Sequence, residues 1–100
     1  MTGLDWTLVR ARYPAGRMVP HMVGQRRFEV LRVTDDALHF RWDVIEDGTI
    51  SRCHLERAVE LIEEGVLITD PAAITSDYRT LVSDERPTIA AALLKDLGYW

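Results

Sequence analysis

Two runs of six residues constrain the middle of this chain more than any other feature. Phe28-Glu29-Val30-Leu31-Arg32-Val33 and Leu38-His39-Phe40-Arg41-Trp42-Asp43 are rich in β-branched and aromatic residues, and Thr34-Asp35-Asp36-Ala37 between them has turn chemistry. Together they predict an antiparallel hairpin over 26–33 and 38–45. In the second run Leu38, Phe40 and Trp42 share one face and His39, Arg41 and Asp43 the other, as in a sheet with one buried side. The first run is less regular. Phe28 and Val30 fit the core face, but simple alternation then places Leu31 and Val33 on the outer face. A second apolar face predicts a cover: the N-terminal segment, a helix, or a second copy of the chain. Asp47-Gly48 is a two-residue turn signal and predicts a brief third strand at Thr49-Ile50.

Beyond residue 50 the apolar period changes from two to 3.6. Ser51 is expected to cap a helix from Arg52 to about Glu64, with Gly65 as its left-handed terminator. Leu55, Ala58, Val59 and Ile62 then share its inner face with Leu61 at the edge, while Cys53, Arg57, Glu60 and Glu64 lie opposite. Asp70-Pro71 opens a short helical turn through Ile74, and Tyr78, Leu81 and Val82 keep helical spacing among turn-formers. Ser83 or Asp84 starts a last helix over 84–97. Pro87 in its first turn breaks no intrahelical bond, Ile89, Ala90, Leu93, Leu94 and Leu97 form its buried face, and Gly98 ends it.

Ahead of the hairpin the signals conflict. Trp6, Val9 and Tyr13 suit a helix, whereas Leu4, Trp6 and Leu8 alternate as a strand would; residues 17–23, broken by Pro20 and closed by Gly24, suit an edge strand or an irregular connection. The whole predicts a single domain, 1–100, of the α+β class, with a small antiparallel sheet packed against helices near 52–64 and 84–97.

Composition narrows the function classes. At 100 residues and 47% hydrophobic, the chain can bury roughly two thirds of its unfolded surface, so its core needs neither metal nor disulfide. The one cysteine, Cys53, has no intramolecular partner. No run approaches the roughly 18 apolar residues of a membrane span, and Asp5 with two arginines interrupts the start where a signal peptide would be apolar. A cytoplasmic protein without a membrane partner is expected. The net charge of −4 conceals a split: residues 1–33 hold six arginines against two acids, a balance of +4, and residues 34–100 hold six basic residues against fourteen acids, a balance of −8. Such a split serves either an anionic partner or basic and acidic segments packed on each other.

The order of hairpin, Ile50-Ser51-Arg52-Cys53-His54-Leu55-Glu56 helix, glycine-ended turn and closing Ala90-Ala91-Ala92-Leu93-Leu94 helix resembles small proteins of mobile elements, of the integron gene-cassette and restriction-accessory types. The likeness is one of layout over about 24–98. It implies a mobile-element context, with no defined activity and no site residue.

Cys53-His54 is the pair to test for thiol catalysis, but neighbours on a helix diverge by roughly 100° and do not face each other. His21, His39, His54 and Cys53 lack metal-ligand spacing; Asp35-Asp36 reads as a turn and Glu63-Glu64 as the end of a solvated face. Neither a catalytic residue, a metal nor a cofactor is expected. The chain instead reads as a non-catalytic binding module, a homodimer or the partner of another protein. Its expected contact surface is Arg27, Arg32, His39 and Arg41 on the hairpin, with Trp100 as an anchor; Leu31, Val33, Trp6 and Tyr99 add apolar surface. The competing reading is a nucleic-acid accessory protein with Arg26, Arg27 and Arg41 on phosphates and Trp6 or Trp42 stacking on bases.

Overall fold

The computed structural model describes residues 3–22 and 26–100. Its order is α1 (Trp6–Arg12), β1 (Met18–Pro20), β2 (Arg27–Val33), β3 (Ala37–Trp42), β4 (Ile45–Ser51), α2 (Arg52–Glu63), α3 (Ile74–Leu81) and α4 (Pro87–Asp96). The four strands form one antiparallel sheet in the order β1-β2-β3-β4, an α+β architecture as the patterning predicts. The irregular stretch before the hairpin is the edge strand β1, where Pro20 costs no ladder bond; its Gly24 end lies outside the described residues. Phe28, Val30, Leu38, Phe40 and Ile50 are fully buried on the inner face. α4 packs beside β1 and α3, and α2 beside β4 and α4.

Two irregularities in the sheet correct the sequence expectations. Val30 pairs with Phe40 but Arg32 with His39, so Leu31 is an extra, bulged residue. The bulge resets the alternation. Val33 returns to the core side opposite Leu38, Arg32 joins His39 on the outer face, and Leu31 is left half-buried. The continuous second apolar face therefore does not form.

The second correction concerns Gly48. The hairpin turn is Asp43-Val44, with Asp43 at a left-handed φ of 53° that aspartate tolerates better than most residues. Asp47-Gly48 is not a turn but lies inside β4, which runs from Ile45 rather than from Thr49. Gly48 is buried opposite Phe40, whose ring covers the place a Cβ would occupy. The glycine is there to admit a ring.

The helices follow their periodicity closely. Leu55, Ala58, Val59 and Leu61 are buried in α2, with Leu61 inside and Ile62 at the margin, the reverse of the simple wheel. Gly65, at φ 76°, ends this helix with Val66 N–H on Leu61 O. Asp70 opens the turn that runs into α3, its carboxylate accepting from Ala72 N–H. The last helix starts at Pro87, three residues later than 84, because Ser83 to Arg86 form a bend in which Ser83 Oγ accepts from Glu85 N–H. The N-terminal segment resolves as α1, capped by Asp5 Oδ1 on Thr7 N–H.

α1 is held at both ends. Trp6, 5% exposed, donates Nε1–H to Thr34 O at 2.7 Å, and Tyr13 donates its hydroxyl to Asp96 Oδ2 at 2.7 Å while Arg12 donates to Asp96 O. Burial, reinforced by the Asp96 carboxylate, pushes the Tyr13 phenol well above its ordinary pKa. Tyr78 is equally buried, and its hydroxyl has no hydrogen-bond partner among the described residues. Removing that orphaned oxygen as Tyr78→Phe is expected to raise stability by about 1 kcal/mol. In thermal unfolding the midpoint should rise by roughly 4–8 °C; a lower midpoint would show the hydroxyl to be engaged.

Candidate functional site

The outer face of the sheet carries Arg27, Arg32, His39 and Arg41, and the fold pairs all of these but Arg27 internally. Arg41 donates from Nη2 to Glu29 Oε1 at 2.6 Å, directly across the strand pair. Arg32 Nη2 and His39 Nδ1 converge on Asp47, at 2.9 Å each. Hydrogen bonding from Arg32, then from His39, holds the Asp47 carboxyl below its ordinary pKa. Arg27 lies on the same strand, exposed, with no ion pair among the described residues. Arg26 instead stacks on Trp42, its guanidinium carbon 4.3 Å from the ring, and His21 stacks on the same indole at 4.4 Å. Burial and the Arg26 charge lower the His21 pKa. Trp100 folds onto its own helix: Nε1–H reaches Ala91 O at 3.0 Å and Lys95 lies over the ring.

The charge split behaves as basic segments packed on acidic ones. Arg10 pairs with Asp35 at 2.8 Å, Arg12 with Asp96 at 3.4 Å and Arg32 with Asp47. Each joins an arginine of the first third to an acid of the remainder. These pairs are largely exposed, so each contributes only roughly 0–1 kcal/mol, and they engage Arg10, Arg12 and Arg32 while Arg27 keeps an exposed side chain with no ion pair among the described residues.

Ser51, His54 and Glu85 form a cluster that sequence reasoning did not find. Ser51 sits at the N-cap position of α2, yet its side chain caps nothing. Its N–H donates to Glu85 Oε1 at 2.7 Å and its hydroxyl to Oε2 at 3.1 Å, while His54 Nδ1 lies 3.0 Å from Oε1. Burial works against the Glu85 charge, but the Ser51 N–H, His54 and the Ser51 hydroxyl outweigh it and hold this carboxyl below its ordinary pKa. The carboxylate sits between serine and histidine, so His54 does not face the Ser51 hydroxyl as a general base must. Cys53 is exposed on the first turn of α2. Thirty-one residues separate His54 from Glu85, and no local spacing signals the pair.

The described surface also holds a groove of about 560 Å³ between α1 and the C-terminal turn. Leu4, Leu8, Leu97 and Tyr99 line it together with the charged residues Asp5, Arg12 and Arg17. Leu8 is 63% exposed there. A groove of this size, here with polar and apolar groups in similar share, is a candidate binding site. Among the described residues no group of three histidine, cysteine or carboxylate side chains could hold a metal ion, and no helix is long and apolar enough to cross a membrane.

In comparisons with known proteins, no family model, no curated protein and no solved structure matches this chain.

Proposed function

We propose that the protein is a cytoplasmic, cofactor-free binding module that works by self-association. The observation that carries this reading is the groove beside α1, where Leu8 and Tyr99 offer apolar surface to a partner while the hairpin arginines Arg32 and Arg41 are satisfied within the chain. The contact surface is therefore taken as the groove. Apolar contacts of this kind anchor protein interfaces, and charge pairs around them fix the register.

Sedimentation of the full chain over roughly 1–200 µM tests the reading, with a concentration-dependent shift from monomer to dimer as the expected result. A monomer throughout that range overturns it. The nucleic-acid reading is separated in the same preparation by titrating salt against a DNA or RNA duplex. Phosphate contact through Arg26 and Arg27 would give binding that falls steeply with salt, and that outcome would replace the self-association reading if no dimer forms.

A further inference from the structure

We infer that the cleft between the β3–β4 hairpin and the first turn of α4 binds a small phosphate monoester with an aromatic body. The cleft is open, about 460 Å³ in volume, and shares no lining residue with the groove beside α1. The site is therefore separate from the self-association surface and stands whether or not the chain dimerises.

Charge sets this cleft apart. Arg79 and Arg86 line it with His21, and among the described residues no aspartate or glutamate does. Three other clefts each have an acid in the wall: Asp5 beside α1, Asp96 between β1 and α4, and Asp35 with Glu56 at the start of α2. In a chain with sixteen acids against twelve lysines and arginines, an acid-free wall runs against the composition. Nor is the charge cancelled close by. Arg86 has no ion pair among the described residues, and Arg79 meets Asp84 only through Nε at 3.7 Å, leaving both Nη groups open. Glu85, the neighbour of Arg86, turns its carboxylate to Ser51 and His54, and the hairpin acids Asp43 and Glu46 do not line the cleft. A third guanidinium, that of Arg26, lies over Trp42.

These charges select the ligand. A guanidinium presents a rigid fork of donors that fits the oxygens of a phosphate or a carboxylate. Two of them match a phosphate monoester, which carries about −1.5 to −2 at pH 7, whereas a carboxylate leaves one positive charge unanswered. Thr88 adds a hydroxyl able to donate to a phosphate oxygen. Half-buried Trp42 and Ile45 share the cleft, and an indole offers a second ring an offset or edge-on contact. The backbone fixes one arginine: Arg86 precedes α4 at a left-handed φ of 43°, and Pro87 follows in the first turn. Glycine or asparagine adopts that conformation more readily, so nothing in the backbone asks for arginine there.

Phenyl phosphate is the probe, titrated into the full chain to about 10 mM and followed through the amide and indole N–H resonances. A dissociation constant of about 0.1–1 mM is expected for a ligand of this size. The Trp42 indole N–H should shift to saturation, while those of Trp6 and Trp100, bonded to Thr34 O and Ala91 O, should stay in place. Inorganic phosphate, which lacks the ring, should bind about tenfold more weakly. Arg79→Gln and Arg86→Asn should each weaken phenyl phosphate about tenfold, and thermal unfolding shows that both variants fold. Arg57→Gln, on the exposed side of α2, should leave the affinity unchanged. No saturable shift at Trp42, or both cleft variants binding as tightly as the unaltered chain, overturns the site. Inorganic phosphate binding as tightly as phenyl phosphate overturns the aromatic body.

Discussion

Gly48→Ala is expected to destabilise the protein by about 3 kcal/mol, the upper part of the usual range for overpacking a core. The sign is informative, because glycine inside a strand normally costs roughly 0.5–1 kcal/mol relative to alanine, and filling it would ordinarily help. Here the new methyl would meet the far end of the Phe40 ring, which lies across the β3–β4 pair and packs edge-on against Phe28 at 5.9 Å. Leucine at position 40 lacks those distal ring atoms. Phe40→Leu alone should cost about 1–2 kcal/mol in lost apolar burial. The double variant should be more stable than the sum of the two losses predicts by about 1–2 kcal/mol, the signature of direct contact. Urea unfolding of the four chains measures this. An alanine at 48 as stable as the glycine would mean that the ring does not lie there.

Gly48 also shows why part of the fold was legible in the residues and part was not. The strands around 27–33 and 37–42 and the helices 52–63 and 87–96 carry their period in four to six apolar positions each, and neighbouring packing agrees with that pattern. Asp47-Gly48 carried an ambiguous signal, since a glycine serves a tight turn and a close ring equally well. The partner strand decided between them. Leu31 is a similar case: a bulge and a second apolar face break the alternation in the same way, and only the pairing of Arg32 with His39 distinguishes them.

The candidate site was legible to a smaller degree. Strand alternation placed His39 and Arg41 on one face, but Arg32 reached that face only through the bulge at Leu31, and the acids, Asp47 and Glu29, had to be brought opposite by register. Leu8 and Val44 could not be recognised as exposed, because their surroundings come from segments far away in the chain. The N-terminal aromatic residues had the opposite fate. Trp6 entered the core and spent its N–H on Thr34, which removes it from any surface stack.

Glu85 offers the second large effect, and pH separates its charge from its shape. Glu85→Ala deprives the Ser51 N–H, the Ser51 hydroxyl and His54 of their common acceptor at a half-buried junction between β4, α2 and the bend before α4. Bonds to a charged group contribute about 1.5–3 kcal/mol each at most and share one acceptor here, so a loss of about 2 kcal/mol is expected. Because the folded chain holds this carboxyl below its ordinary pKa, the ionised form is the one that stabilises the fold. That contribution is complete above the unfolded value of about 4.5 and disappears as pH falls through the lower folded value. Glu85→Gln keeps the size and one oxygen acceptor but has no charge to lose. The stability difference between the unaltered protein and Glu85→Gln should therefore be complete above about pH 4.5 and shrink as the pH falls through the lower folded value in urea unfolding. A difference that stays constant over that range would mean that Glu85 holds the junction by packing alone, with its carboxylate charge contributing nothing to the grip on Ser51 and His54.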